Sequence, residues 1–263
     1  MYQDGHLDAM CDEVVTRWGV GQERLVPPHR RGPRFGSDRS SIRLPLPGYE
    51  RHVTDQHPTA EPFLPPRFNL ETLERAAEIC AGCDLHHLGT QTVFGEGPAR
   101  ARVMIVGEQP GDREDLEGHP FVGPAGKLLD RGLADAGLDR DQVYVTNAVK
   151  HFRWESRGKR RIHRKPSMAH ITACRPWLDA ELTVVKPEVL VCLGATAAQA
   201  ILGRTFKVTQ HRGEIFDAEG IPASVTATVH PSSILRASDD ATRHREMEGF
   251  VRDLSGVARM LAA

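Results

Sequence analysis

The sequence has few aromatic residues, no long apolar run and almost no net charge. Aromatic residues make up 6% of the 263 positions, and 34 basic residues stand against 35 acidic ones, giving a formal charge of -1. No segment reaches the roughly 18 consecutive apolar residues that a membrane-spanning helix needs, and the N-terminus lacks the pattern of a signal peptide. The sequence therefore predicts a soluble, cytoplasmic protein without membrane contacts. Any attraction to polyanions must come from local clusters of basic residues.

Cysteine is also scarce, with five residues in the whole chain. This number and spacing do not match the dense disulfide framework of a small secreted domain. Cys80 and Cys83 are separated by two residues, and Gly82 between them lets the backbone turn so that both sulfurs can face one point. The pair is therefore interpreted first as a metal or cluster site.

Two further residues are candidates to complete that site. Cys174 lies on a predicted helix, and His151 directly follows a predicted strand. Cys192 falls inside an apolar strand, where we expect an inert core residue, and Cys11 is taken as incidental. Three cysteines and a histidine suit zinc, while cysteine-rich ligation also suits an iron–sulfur cluster, and ordinary buried cysteines are the third possibility.

The first 66 residues differ in composition from the rest. They contain VPPHRRGP, RLPLPGY and FLPPRF, with no sustained hydrophobic period. Such a segment buries too little apolar area to offset the entropy of ordering it. We predict a poorly ordered Pro/Arg-rich extension over residues 1–66, with one short helix at most over Leu7–Trp18, and a folded domain over residues 67–263.

Strand and helix patterns alternate from residue 69 onward, which indicates an α/β fold. We predict a three-layer α/β/α domain with a central four-stranded parallel sheet. The expected strands lie within residues 101–112 and over Val143–Val149, Val189–Leu193 and Val225–Val229. The expected helices begin at Asn69, Pro124, Ser167, Ala195 and Asp239, and residues 208–216 are expected to be irregular or a short strand pair.

Polar side chains follow three of these strands. Glu108 and Gln109 come after the first strand, Asn147 lies near the end of the second, and His230 follows the fourth. Because the carboxyl ends of parallel strands share one edge, we expect these residues to meet there. Each motif alone also fits a plain turn, since GEQPG lacks the lysine of a phosphate loop and HPSS is rich in turn residues.

A cationic segment over residues 147–166, NAVKHFRWESRGKRRIHRKP, is predicted to be a mobile loop beside this edge. Such a block is usually a solvated face or a nucleic-acid contact. His163 lies inside it, and surrounding positive charge disfavours the protonated imidazole. A neutral imidazole is a nucleophile, and phosphates would be attracted to the neighbouring arginines.

Taken together, the motifs resemble the uracil-DNA glycosylase superfamily. The segment from Gly107 to Asp130 is similar to the first motif of the iron–sulfur family 4 enzymes, and VHPSSILR to their second. CAGC, VFGEG, TNAVK, ACRPWL and LGATAA occur in the matching order, so the resemblance covers residues 80–236. The sequence departs from the usual family 4 pattern in three places. His151 replaces the usual cysteine after NAVK, GEQPG replaces GEAPG, and KRRIH is inserted. These departures resemble the UdgX branch, which becomes covalently trapped on uracil-DNA.

The resemblance implies a role for each motif residue. It implies His163 as the nucleophile at the deoxyribose C1′, Glu108 as the carboxylate that orients it, and His230 as the group that stabilises the departing base. Phe121 would stack on the flipped uracil, Asn147 would read its edge, and Gln109 would line the pocket. It implies a [4Fe-4S] cluster held by Cys80, Cys83, His151 and Cys174. The expected DNA contacts are Arg157, Lys159, Arg160, Arg161, Arg164, Ser232 and Arg236.

The expected partner is uracil-containing DNA, preferably single-stranded, bound by a monomer. Two other functions stay open at this point. One is a conventional uracil-DNA glycosylase that hydrolyses many substrates, in which His163 merely contacts DNA. The other is a zinc-containing nucleic-acid-binding module without enzymatic activity.

Overall fold

A computed structural model describes residues 58–262 of the chain. The predicted Leu7–Trp18 helix and Cys11 lie outside the described residues, as does most of the 1–66 extension. Residues 58–66 pack against the domain, because Ala60 is buried and its N–H donates to the Ala173 carbonyl at 2.8 Å. In residues 58–262, no helix has the combination of length and apolar character that spanning a bilayer requires.

The described chain forms seven strands in two sheets. The strands are β1 Val103–Gly107, β2 Val143–Asn147, β3 Trp154–Arg157, β4 Arg160–His163, β5 Val189–Leu193, β6 Ile215–Ala218 and β7 Ile221–Thr228. The main sheet has the order β2-β1-β5-β7-β6, and β3 and β4 form a separate antiparallel hairpin. The predicted α/β fold with four parallel strands is confirmed, with β6 added as a fifth, antiparallel edge strand.

Eight α-helices accompany these strands in the described residues. They are α1 Leu70–Ala77, α2 Asp112–Glu117, α3 Pro124–Asp135, α4 Met168–Val185, α5 Gly194–Leu202, α6 Val208–His211, α7 Pro231–Leu235 and α8 Asp240–Ala262. Three of the predicted start signals are confirmed, and Pro124 is the first residue of α3. The Asn69 side chain accepts the Thr72 N–H at 2.7 Å, and the Ser167 hydroxyl accepts the His170 N–H at 3.3 Å.

Alternate residues of each parallel strand enter different layers of the core. On β1, Met104 and Val106 pack in the cluster that includes Leu178 of α4 and helix α5. Val103 and Ile105 pack in the cluster formed with α3 and α8. The two-residue period of the strands therefore places helices on both faces of the sheet, which is the predicted three-layer arrangement. Cys192 lies in the first of these clusters, as expected of a core residue.

The segment at residues 208–216 is one place where the expectation was wrong. The structure has helix α6 there and then β6, which pairs with β7 across a tight turn at Gly220. Strand β6 has four residues with alternating exposure. An edge strand of this length provides too few alternations for its period to be recognised in the sequence.

A buried ion pair holds the end of β2 against α4. Lys150 Nζ lies 2.6 Å from Glu181 Oε2, and the side chains are 1% and 0% exposed. Glu181 also accepts the hydroxyl protons of Tyr144 at 3.0 Å and Thr146 at 2.8 Å. Lys150 Nζ in turn donates to the Asn147 carbonyl at 2.9 Å. The network therefore fixes the backbone at the carboxyl end of β2.

Removing one charge of this pair should be costly. We expect Lys150→Met to lower the free energy of unfolding by roughly 3–5 kcal/mol, because it leaves the Glu181 carboxylate buried without a counter-charge. Urea denaturation measures this change. The matched double variant Lys150→Met/Glu181→Gln removes both charges and should recover more than half of the loss. A single variant within about 1 kcal/mol of wild type would contradict this account of the pair.

Candidate active site

The carboxyl edge of the sheet brings together polar residues from three strands. Glu108 follows β1, Asn147 ends β2, and His230 follows β7. The parallel register aligns Gly107 with Asn147, so the two strand ends stop at the same level. The backbone continues this alignment past the sheet, since the Val149 N–H donates to the Glu108 carbonyl at 3.1 Å. These side chains therefore lie at one edge of the sheet, and the space that Glu108, Asn147 and His230 face is called the opening.

Phe121 and Asn147 form the floor of that opening. A Cβ built on Gly107 would collide with the Asn147 amide oxygen and would lie 2.7 Å from the Phe121 ring, so only glycine leaves room for both groups. Asn147 is 3% exposed. Phe121 adopts φ 59°, a left-handed conformation that is unusual for a bulky side chain and is typical of functional positions. Its ring stacks toward His230, with centroids 6.3 Å apart at 24°.

The loop that carries Phe121 is held by a carboxylate and a glycine. Glu114 of α2 accepts the Gly111 N–H at 3.0 Å and the Gly123 N–H at 2.8 Å, so it joins the two loops that flank the opening. A Cβ on Gly126 would collide with the Phe121 carbonyl. The strained backbone of Phe121 is thus maintained by its surroundings.

His230 is held as a neutral ring with a defined donor. Its Nδ1 accepts the Ser232 N–H at 3.1 Å and lies 2.8 Å from the Ser232 hydroxyl. Because Nδ1 is an acceptor, the proton of the neutral ring is assigned to Nε2. The pKa of His230 is lowered to about 4, mainly by burial and to a smaller extent by Arg236 and His163. Ser232, expected to contact DNA, lies where it orients His230.

The cationic segment is a hairpin, and the prediction of a mobile loop was wrong. Strands β3 and β4 pair from Trp154 opposite His163 to Arg157 opposite Arg160. Gly158 begins the two-residue turn with φ 66°, the conformation that tight hairpin turns require. Each strand has four residues and most of them are charged or polar, so the sequence shows no apolar alternation from which the hairpin could be recognised.

The pairing sorts the basic residues onto two faces. Residues opposite each other in an antiparallel ladder share a face, and neighbours along a strand alternate. Trp154, Arg161 and His163 are therefore on one face, while Arg157 and Arg160 are on the other. Arg157, Arg160 and the turn residue Lys159 are exposed.

Arg161 faces the domain and is bound by acidic residues. Its guanidinium lies 2.6 Å from Asp112 Oδ1 and 2.5 Å from Asp115 Oδ2, and it also donates to the Thr90 hydroxyl at 3.1 Å. The side chain is 18% exposed, and its guanidinium packs over the Trp154 ring at 5.6 Å. Sequence reasoning assigned Arg161 to DNA phosphates, but the structure places it as an anchor of the hairpin to α2.

Gln109 holds the base of the same hairpin. Its amide nitrogen donates to the carbonyls of Arg153 and Arg164, both at 3.2 Å, and its amide oxygen accepts the Arg153 N–H at 3.2 Å. The side chain thus bridges the two chain segments that enter and leave the hairpin. Gln109 was expected to line the base pocket. In the structure, its side chain bridges the two ends of the hairpin. The Arg164 guanidinium, a predicted phosphate contact, pairs with Glu155 on the exposed side.

His163 reaches the opening from the domain-facing side of the hairpin. Its Nε2 lies 3.4 Å from Glu108 Oε1, and its side chain is 49% exposed. Burial of the ring is the main cause that lowers the pKa of His163, and Arg236 adds to it, whereas Glu108 acts in the opposite direction. The expected neutral imidazole is therefore favoured mainly by burial, with Arg236 of the α7 end as its nearest cationic contributor. The hairpin arginines point elsewhere.

The three candidate cysteines lie close together beside α1 and α4. Cys80 and Cys174 belong to one apolar cluster, and Cys83 packs against it. The Trp177 indole N–H donates to Cys80 Sγ at 3.2 Å, and the Lys150 N–H donates to Cys174 Sγ at 3.3 Å. The pKa of Cys174 is raised to about 12, mainly by burial, while Lys150 acts in the opposite direction and Cys83 and Cys80 contribute less.

The surroundings of His151 fix Nε2 as the hydrogen-bond donor of its ring, which leaves Nδ1 as the nitrogen that could bind a metal. The Thr92 hydroxyl donates to the Ala77 carbonyl at 2.8 Å, so it accepts from His151 Nε2 at 3.0 Å. Its Nδ1 then keeps a lone pair, and burial lowers the pKa of His151 to about 4, which keeps the ring neutral. In residues 58–262, no three His, Cys, Asp or Glu side chains have the spacing to enclose a single metal ion.

Comparison with known proteins identifies the family. The model of the uracil DNA glycosylase superfamily matches residues 94–255, which is more than half of the chain. The chain belongs to this superfamily. It is 36% identical over 173 residues to a type-4 uracil-DNA glycosylase of Archaeoglobus fulgidus, covering 64% of this chain and 83% of that protein. It is also 36% identical over 191 residues to the type-4 enzyme of Thermotoga maritima, covering 72% and 95%.

A third relative, the type-4 uracil-DNA glycosylase of Sulfurisphaera tokodaii, is 37% identical over 174 residues, covering 64% of this chain and 76% of that protein. The superfamily match includes the strand ends, the hairpin and the Phe121 loop. It begins after Cys80 and Cys83. The opening at the sheet edge therefore belongs to the superfamily domain itself, and the CAGC segment precedes the matched region.

The contacts of Arg161 and Gln109 predict how the hairpin responds to substitution. We expect Arg161→Gln to speed hydrogen exchange of the amides from Trp154 to His163 about tenfold, since losing charge-assisted bonds costs about 1.5 kcal/mol of local stability. Arg157→Gln, on the opposite face, is the matched control and should leave exchange unchanged. Equal exchange in both variants would mean that Arg161 does not hold the hairpin.

Proposed function

We propose that this protein excises uracil from DNA and becomes covalently linked to the resulting sugar through His163. The observation that carries the proposal is the position of His163. An anchored hairpin holds this ring next to Glu108, at the opening whose floor is Asn147 and Phe121. The printed names of the relatives, type-4 uracil-DNA glycosylases, support uracil in DNA as the substrate.

Recognition of the base would use the floor of the opening. An enzyme that cuts a base must first take it out of the stack, and it reads the base by stacking and by hydrogen bonds to its edge. Phe121 offers the aromatic face and the Asn147 amide offers one donor and one acceptor. Because both are buried and held by neighbouring loops, they are in place before the base enters.

Departure of the base would be assisted by His230. Uracil leaves as an anion, and a donor aimed at the developing charge lowers the barrier. The Nε2–H of His230 is such a donor, because Ser232 occupies the other ring nitrogen. The ring stays neutral across the physiological pH range, since its pKa is about 4.

The covalent step would take place on the opposite side of the sugar. A lone pair on one ring nitrogen of His163 bonds to C1′ as the bond from C1′ to uracil breaks, and the electron pair of that bond leaves with the base. The imidazolium then loses its N–H proton to Glu108 or to water, and the uracil anion takes a proton from water. The product is an alkylated imidazole, and Glu108 stabilises the positive charge that passes through the sugar.

The exposed face of the hairpin would bind the DNA backbone. Arg157 and Arg160 lie on the hairpin face opposite His163, and Lys159 in the turn and Arg236 near His163 are exposed. Such contacts position a strand without reading its sequence. Single-stranded DNA fits best because extruding its base breaks no pair, and we propose a monomeric, cytoplasmic enzyme.

Cys80, Cys83, His151 and Cys174 would hold a [4Fe-4S] cluster. The donor set fits, since two sulfurs accept N–H bonds and His151 keeps Nδ1 available. When bound, the cluster would join α1, α4 and the end of β2 and supply no chemistry at the base.

His151 in place of a cysteine, GEQPG and the KRRIH hairpin together support assignment to the UdgX branch. Two of these features are in direct contact. The Gln109 side chain of GEQPG donates to two carbonyls at the base of the hairpin that contains KRRIH. The conventional hydrolytic enzyme is the second candidate, supported by the names of the relatives.

A denaturing gel tests the covalent step. Incubation with a single-stranded uracil oligonucleotide should give a band of DNA-linked protein that survives boiling in detergent, and peptide mapping should locate the adduct on His163. His163→Ala should lose at least about 99% of the adduct, because it removes the nucleophile. His211→Ala, a histidine on α6, is the control. Uracil release without any shifted band would favour the conventional enzyme instead.

Iron analysis tests the cofactor. Purified protein should be brown and contain about four irons per chain. Cys83→Ser and His151→Ala should lower the iron content, while His151→Cys should retain it, since a thiolate replaces the imidazole at the same position. Cys192→Ala, a core cysteine outside the set, serves as the control. Zinc in place of iron in the wild type would overturn the cluster assignment.

A further inference from the structure

Thr196 contacts the carboxylate that faces His163, and it lies in the LGATAA motif, to which no role was assigned from the sequence. It is the third residue of α5 and is 1% exposed. Its hydroxyl donates a short hydrogen bond to Glu108 Oε2. Glu108 Oε1, the other oxygen of the same carboxylate, is the atom 3.4 Å from His163 Nε2. Thr196, Glu108 and His163 therefore form a continuous line from α5 to the hairpin.

The direction of this hydroxyl is informative. A threonine inside a helix commonly bonds a carbonyl of the preceding turn, but Thr196 is in the first turn of α5 and its helix has no such turn before it. Thr196 instead donates across to the end of β1, where Glu108 leaves the sheet. A hydroxyl has one proton to donate, so this proton is fully used by the carboxylate.

Only one oxygen of Glu108 is held in this way. The Glu108 side chain is 21% exposed, so part of it meets solvent and its carboxyl group could rotate. A charge-assisted bond to Oε2 fixes the plane of the group and leaves Oε1 toward the imidazole. A positioned carboxylate next to developing positive charge is worth more than a mobile one, because no reorganisation is needed during the reaction.

We propose that Thr196 is a positioning residue that orients the Glu108 carboxylate toward His163 and the sugar. This inference rests on the proposed function, since it assigns the rate of that reaction to the Thr196 hydroxyl. Thr196 itself contacts neither the DNA nor the base in this account. Its contribution to the reaction passes entirely through Glu108.

Single-turnover kinetics test the proposal, with loss of uracil from the oligonucleotide as the measured quantity. Thr196→Val keeps the shape of the side chain and removes the donor. We expect the maximal rate to fall about tenfold with DNA affinity unchanged within about twofold, the scale of one hydrogen bond to a charged group. Thr196→Ser restores the hydroxyl and should keep the rate within about threefold of wild type.

A double-mutant cycle separates positioning from general damage. In the background of Glu108→Gln, Thr196→Val should cause no further slowing, because both substitutions interrupt the same path. Thr226→Val removes a hydroxyl from another buried threonine, on β7, and should leave the rate unchanged. Thermal unfolding of each variant verifies that it is folded at the assay temperature.

Three results would overturn the proposal: a wild-type rate in Thr196→Val, a Thr196→Ser variant as slow as the valine, or equal slowing by Thr196→Val with and without Glu108. Failure of the covalent proposal is distinguishable from these. If wild type releases uracil without forming an adduct, the covalent step is wrong, and the same cycle still measures the role of Thr196 in uracil loss. If wild type neither forms the adduct nor releases uracil, both proposals fail.

Discussion

The guanidinium of Arg161 lies between two carboxylates of α2, and the position of the hairpin depends on this contact. Asp115 is completely buried and Arg161 supplies its counter-charge, so separating them would leave an uncompensated charge inside the protein. The same residue is two positions from His163 on the same face of the hairpin. Holding Arg161 in place therefore also limits where the imidazole can be.

Bonds at separate points keep the hairpin from rotating. Gln109 bonds both chain segments at its base, and the Trp154 indole N–H donates to the Leu88 carbonyl at 2.8 Å. A segment held at one point can rotate, whereas one held at several points on different elements has a defined orientation. The neighbouring Phe121 loop is held in the same manner by Glu114. The loops around the opening are therefore held in place by side chains that would not themselves touch a substrate.

Sequence patterns were sufficient for the parts of the fold that depend on burial. Strands β1, β2 and β5 and the second half of β7 are buried on both faces and give short apolar runs, so the sheet and the edge where Glu108, Asn147 and His230 lie could be predicted. Strand β6 and the hairpin could not, because they are short and partly exposed, and their sequences carry little apolar periodicity.

The spacing of residues along the sequence does not reveal which partner an individual side chain contacts. Arg161 stands in a row of basic residues, and only the hairpin register separates it from Arg157 and Arg160. Gln109 is next to Glu108 in the chain, yet the two side chains have different partners, since successive residues point in different directions. Thr196 lies in a helix of small residues, a pattern that indicates ordinary core packing. Its contact with Glu108 joins two residues that are 88 positions apart in the chain.

The hairpin is also separate from the core. In the described part of the chain, none of the three apolar clusters includes a residue of 154–163. Most of the energy that keeps a domain folded comes from such clusters, so the segment carrying His163 can change its sequence at little expense to folding as long as Arg161 keeps its contact with Asp115. In the proposed enzyme, the reactive group could therefore be acquired, lost or exchanged over evolutionary time while the residues proposed to read the base are preserved.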